Sequence, residues 1–564
     1  MKNLKLLALV AVGLIILGIV AANFYTRIDL TANQRYTLSQ TSKELLAKAD
    51  QPIIIDVFLA GDLPAEFRRL RRETLQILEE LENLHPSLSY EFIEPLEGLN
   101  QQESNQVTQQ LARNGVRGAL ATVQKEGKRS QVTVFPYAII LYDGNRTAVP
   151  LLKAVTGSSS EDRINASVQQ LEYQLMDGIR RVAMKKQKRI AVLKDSGELE
   201  DLEIADFLKA LQQYYYTAKF GIEYVNDSTA ASPRDVLKKL QDYDLVIDPK
   251  PTVAFSETKN YVLDQYLLNG GNLLLAIDPV IMENDSLTNE LRRAYPLPRD
   301  LNIDNLLFSY GLRLNNGLVK SLDLAPLALA VGQGRNIQYE AFPWPYYPLA
   351  SSSSNSSTAT QVISNNLEDV KLEYAGSIDT LKNNVKKSIL LMTSPRSQVL
   401  TLPAAINLSE LQMPENPENY QAGEQPVAVM ATGNFKSAYK NKVKPFDLPG
   451  HIDQAIKPGN VLLISDGDIM KNQIDRGVPQ DLGFDIRTGT SYGNKEFLMN
   501  SIEYMLNDTG LIDLRNKDIQ IATLDPEEAY GNRLFWQLII IVLPLALLAL
   551  FALCFMYVRK KSLR

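Results

Sequence analysis

The sequence predicts an α/β protein: a large extracytoplasmic body built on a doubly wound, mostly parallel sheet, set between N- and C-terminal transmembrane helices. Three observations predict it. Residues 4–24 and 534–558 are almost wholly apolar, and at 1.5 Å rise per residue each can cross a hydrocarbon core of roughly 30 Å. Between them, short runs rich in branched residues alternate with stretches whose apolar residues recur at helical spacing. Such alternation is the pattern of strands joined by helical crossovers. The length, 564 residues, is too great for one core and suits two or three domains.

The first apolar run competes with a cleaved signal peptide, since Val20 and Ala22 can occupy cleavage positions. Its length favours an uncleaved anchor, and an intact-mass measurement decides between them. After it comes "FYTRIDLTANQRYTLSQTSKELLAKA". Arg27 and Asp29 are placed to form a juxtamembrane ion pair, Tyr36 suits the headgroup zone, and Ser39 can cap the short helix that follows. The stretch is a positioning collar, and Arg27, Asp29 and Tyr36 are its candidate subunit contacts. "QPIIIDVFLAG" reads as a strand, "PAEFRRLRRETLQILEELENL" as an amphipathic helix and "LSYEFIEP" as a second strand. Together they form a β-α-β unit. "SSSEDRINASVQQLEYQLMDGIRRVAMKK" is a long helix bridging to a second domain. Collar, first domain and bridge span 25–185.

Alternation restarts at "RIAVLKD", followed by a helix near Leu202–Leu211, a strand at "FGIEYV", and a helix near Pro233–Leu240. Then come the strand "DYDLVID", a helix near Ser256–Leu268 and the strand "GGNLLLAID". "AFPWPYYPLASSSSNSST" reads as a proline- and aromatic-rich loop entering a serine-rich tract at 351–358. Strands return at "SILLMTS", "PVAVMAT" and "GNVLLISDGD", and "NKEFLMNSIEYML" is a late helix covering the sheet. The second domain is 186–515, with a linker at 516–533 before the last anchor and a basic tail at 559–564. That tail, "RKKSLR", follows the anchor while Asp525, Glu527 and Glu528 precede it, which places the C-terminus in the cytoplasm by the positive-inside rule. Lys2 and Lys5 place the N-terminus there too, leaving the body on the far side.

The inventory excludes several chemistries. Cys554 is the one cysteine and lies in the second anchor; His85 and His451 are the two histidines. A Cys/His zinc centre and a cysteine nucleophile activated by histidine are therefore ruled out. No G-x-S-x-G elbow and no G-x-x-x-x-G-K-[ST] phosphate loop occurs, so a nucleotide site belongs to another chain. A net charge of −6 without a basic-aromatic stripe argues against nucleic acid. No catalytic, cofactor or metal residue is assigned. Four strands end in aspartate, at Asp195, Asp248, Asp278 and Asp466, with Asp468 close behind. Acids at the carboxyl ends of parallel strands can hold a cation or sugar hydroxyls; alternatively, they cap helices or open turns. Trp344, Tyr346 and Tyr347 can stack on a ligand, dock a partner, or pack into their own core.

Several of these pieces together, "RIDLTANQRYTLSQTSKELL", "VFLAGDLPAEFRRLRRET", "INASVQQLEYQL", "DYDLVIDPKPTVAFSETKNYVLDQYLLNGGNLLLAID", "WPYYPL" and "GNKEFLMNSIEYML", resemble the GldG family. Its members are gliding-motility-associated auxiliary proteins of ABC transporters, often labelled substrate-binding. The resemblance covers nearly the whole chain. It implies a thioredoxin-like first domain and a class I glutamine-amidotransferase-like second domain. It also implies a place in the cytoplasmic (inner) membrane beside an ABC permease and a separate ATPase subunit, with periplasmic motility or envelope components as further partners. The expectation is a non-enzymatic auxiliary subunit, with a periplasmic glycan- or peptide-binding receptor as the alternative.

Overall fold

The computed structural model describes residues 37–125, 128–153, 160–222, 232–332, 338–352, 358–412, 415–506, 510–516 and 531–562. The first anchor, Arg27, Asp29 and Tyr36 lie outside the described residues. The chain divides into two compact units, 1–517 and 518–564.

In the larger unit α1 (Gln40–Leu46) is capped by Ser39, whose hydroxyl accepts from Ser42 N. The β-α-β unit forms as its sequence predicts: β1 (Ile53–Val57), α2 (Ala65–Leu84) and β2 (Leu88–Phe92), the two strands parallel. After α3 (Gln101–Arg113) and the hairpin of β3 (Ala119–Lys125) and β4 (Lys128–Val134), β5 (Tyr137–Tyr142) and β6 (Asn145–Pro150) complete a four-stranded sheet of order β2-β1-β5-β6. The bridging helix is α4 (Ser160–Ala183). A Cβ at Gly178 would lie 2.3 Å from Val149 Cγ2, so glycine is what lets α4 approach the sheet this closely. Glu172 on α4 accepts from Ser39 N and Ser42 Oγ at 2.7 Å. Toward the second sheet, Arg180 pairs with Glu503 at 2.5 Å, both nearly inaccessible. The helix is thus buried on several sides, as a bridge requires.

The second sheet has ten strands. β7 (Arg189–Leu193), β8 (Tyr216–Phe220), β9 (Leu245–Pro249), β10 (Leu273–Ala276) and β15 (Gly459–Ile464) run parallel, whereas β11 (Leu324–Val331), β12 (Gln338–Ser352), β13 (Lys386–Thr393) and β14 (Pro426–Gly433) continue it antiparallel. The order is β11-β12-β13-β14-β15-β10-β9-β7-β8, with the short strand Val370–Lys371 paired to β12. The sheet is therefore mixed rather than mostly parallel. Helices cover both faces. α5 (Ala205–Tyr214), α9 (Thr358–Ser364) and α10 (Asn494–Leu506) share one core with Ile190, Val192 and Ile247. On the other face α6 (Pro233–Leu240), α7 (Glu257–Leu268) and α8 (Asp304–Tyr310) share a core with Ala191, Leu193 and Val246. Alternate residues of one strand feeding two cores is the doubly wound pattern.

Two local expectations are corrected. Of the strand read at "FGIEYV", Phe220 ends β8, which begins at Tyr216, and 223–225 lie outside the described residues. The stretch "AFPWPYYP" is no loop: it belongs to β12, 15 residues long. Its aromatics favour extended backbone, and the ladder to β11 is interrupted between Leu324 and Pro326, opposite Pro348 and Pro343. Prolines, which have no N–H to donate, are accommodated at such irregularities. Ser351 and Ser352 accordingly belong to the strand, not to a loop, and 353–357 lie outside the described residues.

The second unit contains α11 (Arg533–Ser562), within which Arg533–Tyr557 is long and apolar enough to cross a membrane.

Candidate functional site

The adjacent strands β7, β9, β10 and β15 bring Asp195, Asp248, Asp278 and Asp466 side by side at their carboxyl ends. None of the four is left as a bare acid. Two buried lysines face Asp195, Asp248 and Asp278, while Asp466 is held by backbone N–H groups.

Lys259 enters from the first turn of α7, whose start is set by Ser256 accepting from Lys259 N at 3.0 Å. Every residue of α7 from Lys259 to Leu268 is buried, so its side chain has no route to solvent. Its ammonium lies 3.1 Å from Asp195, 3.4 Å from Asp248 and 3.5 Å from Glu198, and 4.0 Å over the Phe255 ring. Burial pushes the Asp248 carboxyl up to about 7, against the pull of Lys259 and helped by Glu198 and Asp195. Lys259 also donates to Ser196 Oγ at 2.7 Å. A lysine that activates serine must lose its proton readily; here three carboxylates overcome desolvation and hold the ammonium charged.

Lys250 follows β9 in the left-handed region, with φ of 60°. Its ammonium lies 2.6 Å from Glu283, 2.6 Å from Asp468 and 3.4 Å from Asp278. Asp278 accepts from Gly467 N at 2.6 Å. A Cβ at Gly467 would come within 2.5 Å of Lys250 Cγ. Burial and then Asp468 push Asp278 up to about 6, with Lys250 opposing. Asp466 rises well above the usual carboxylate range, chiefly through burial, and accepts from Glu373 N at 2.9 Å and Asp468 N at 2.8 Å. Oxygens of Asp278, Glu283 and Asp468 all lie within 4.8 Å of one another. That spacing suits a hard cation, but the Lys250 ammonium already supplies the positive charge among them.

Above this array is a cleft of about 450 Å³, lined among others by Glu198, Glu203, Lys250, Glu283, Glu373 and Lys471. It lies where open α/β sheets bind ligands, outside the strand ends. The turn-opening reading holds for Asp466; Asp195 instead accepts from Ile222 N. Sequence reasoning missed Lys250 and Lys259. The available signals were "DPKP" directly after a strand and a lysine at the head of an otherwise apolar helix.

The aromatic trio is placed elsewhere. Trp344, Tyr346 and Tyr347 are at most 2% exposed and form a core with Tyr374 and Leu318. Trp344 Nε1 donates to Tyr374 at 3.4 Å and Tyr346 OH to Glu410 at 3.1 Å. Of the three readings left open for them, self-packing is the one the structure displays. The histidines lie outside the cleft: His85 ends α2, its N–H on Leu81 O, and His451 bonds Tyr261 and Asp453.

Comparison with known proteins adds the following. Residues 187–501, more than half of the chain, match the family described as an ABC-type uncharacterized transport system. Residues 32–141 match a domain of unknown function, DUF7088. An uncharacterized protein of Borreliella burgdorferi is 19% identical over 480 residues, 84% of each chain. Among solved structures, the mmIFT52 N-terminal domain is similar at TM-score 0.31 and 13% identity, covering 57% of this chain and 98% of that one. A thua-like protein from Parabacteroides merdae is similar at TM-score 0.27 and 10% identity, covering 57% and 90%. With its second α/β sheet inside the matched region and an apolar helix following it, the chain belongs to the ABC-type uncharacterized transport system family.

Proposed function

We propose that the chain is a non-enzymatic, GldG-like auxiliary subunit of an ABC transport complex, coupling a permease and a separate ATPase subunit to periplasmic motility or envelope components. The observation that carries this reading is the family match over 187–501. The site chemistry supports it: Lys250 and Lys259 face Asp278, Asp195 and Asp248, and the serine nearest a lysine accepts from the Lys259 ammonium. The apolar helix Arg533–Tyr557 and the basic residues after it support anchorage in the inner membrane with a cytoplasmic C-terminus. In this reading the first apolar run is a second anchor, both termini are cytoplasmic, and Arg27, Asp29 and Tyr36 touch the permease. The thioredoxin-like and amidotransferase-like domain assignments belong to the same proposal. The test is isolation of the full chain from its native membrane through a C-terminal tag. The expected result is recovery of an ABC permease and an ATPase, reduced when Arg27 and Asp29 are both replaced by alanine. Recovery of the chain alone would refute the subunit role.

A further inference from the structure

A second cleft opens where α4 and α5 end, beside the turn between β5 and β6. Its volume is about 860 Å³. It adjoins a recess of about 110 Å³, and Arg181, Lys185 and Lys186 line both. Lys48 and Arg180 add to the recess, and Arg146 adds to the cleft. Against these six cations stand two acids, Asp50 and Asp143, both in the wider part. Asp50 already accepts from Tyr142 OH at 2.7 Å.

Part of this charge is structural. Arg180 pairs with Glu503. Arg181 pairs with Asp177 at 3.3 Å and donates to Thr147 Oγ1 at 2.9 Å. Lys186 donates to Gln212 O, as cations near a helix C-terminus do. Lys48, Arg146 and Lys185 are different. All three are exposed, and none forms an ion pair among the described residues. They come from the turn after α1, from β6 and from the end of α4, so no local charge run explains their meeting. A cleft lined mainly by one sign of charge concentrates ions of the other. One guanidinium fork is enough for a carboxylate, whereas cations spread around a wall match an anion with charge on several oxygens. Phosphate esters and phosphoanhydrides are that class.

We propose that this cleft binds a phosphate-bearing anion through Lys48, Arg146 and Lys185, with Arg181 as a fixed cation beside them. Two sources carry that chemistry, the headgroup of an anionic phospholipid and a soluble phosphoanhydride. The assignment is independent of the subunit role, since it is read on the isolated chain.

The full-length protein in non-ionic detergent is titrated calorimetrically with inorganic pyrophosphate and with dihexanoylphosphatidylglycerol. Dihexanoylphosphatidylcholine is the control without net charge. Saturable one-site binding of either anionic probe, absent for the control, is expected, and the stronger probe identifies the source. Replacing Arg146 and Lys185 together by glutamine should weaken it at least ~10-fold. The same charge change at Arg68 and Arg72, exposed on α2 and outside both walls, should leave it unaltered. Lys185→Arg, which keeps the charge, should retain binding. The Arg146→Gln, Lys185→Gln variant should melt no lower than wild type, because neither residue forms an ion pair among the described residues. Failure of both anionic probes to saturate below about 1 mM overturns the proposal, as does an equal loss from the α2 pair. A melting temperature several degrees lower for the cleft variant also overturns it, since the two cations would then be structural.

Discussion

At the scale of single residues, the strand-end lysines decide the character of the site. Lys259 is fully inaccessible and faces three carboxylates. Lys259→Met should destabilise the fold by ~3–5 kcal/mol, the usual cost of leaving buried charge unmatched, as read by denaturant unfolding. Adding Asp248→Asn should restore part of that loss. The acids also make stability depend on pH. Asp248 rises from 3.8 to about 7 and Asp278 from 3.8 to about 6 on folding. A raised carboxyl binds its proton more tightly in the native state, so its contribution is complete below about pH 3.8 and disappears as pH rises through 6 to 7. Asp248→Asn should therefore gain melting temperature relative to wild type as pH goes from 5 to 8; a constant difference would contradict this. The aspartates were legible, because strand ends show in the local pattern. Their partners were not. Lys250 meets Asp468 across 218 residues, and Lys259 meets Asp195 across 64.

Among the elements, α4 joins the two sheets. Its length and amphipathic repeat were readable, because helical periodicity is local. Its load is tertiary: Glu172 anchors α1, Gly178 touches β6, and Arg180 meets Glu503 on α10. Gly178→Val would drive methyl groups into Val149 and Ile140 and should cost ~1–3 kcal/mol through overpacking, measurable as a lower denaturation midpoint with an unchanged slope. β12 teaches the converse. Three prolines between Phe342 and Leu349 signal a loop by local rules. Burial of Trp344, Tyr346 and Tyr347 in one core, with ladder pairing to β11, Val370–Lys371 and β13, overrides them. Similarly, α2 starts at Ala65 behind Pro64, with no side-chain cap.

For the whole molecule, topology relative to the membrane is the deciding property. A reporter inserted at Asn355, within the serine-rich tract, should be active only in its extracytoplasmic form, while one fused after Arg564 should report the cytosol; the reverse pattern would refute the orientation. The sequence alone determined the α/β class, the β-α-β start, the bridging helix and the apolar span at Arg533–Tyr557, because each is written in the periodicity or hydropathy of neighbouring residues. Only the tertiary structure decided that the large sheet turns antiparallel beyond β15, that the strand-end acids enclose lysine ammonium groups, and that the aromatic trio is core. These depend on which distant segments share an edge or a face. That choice is made by burial and hydrogen bonding summed over the whole fold, and no window of adjacent residues contains it.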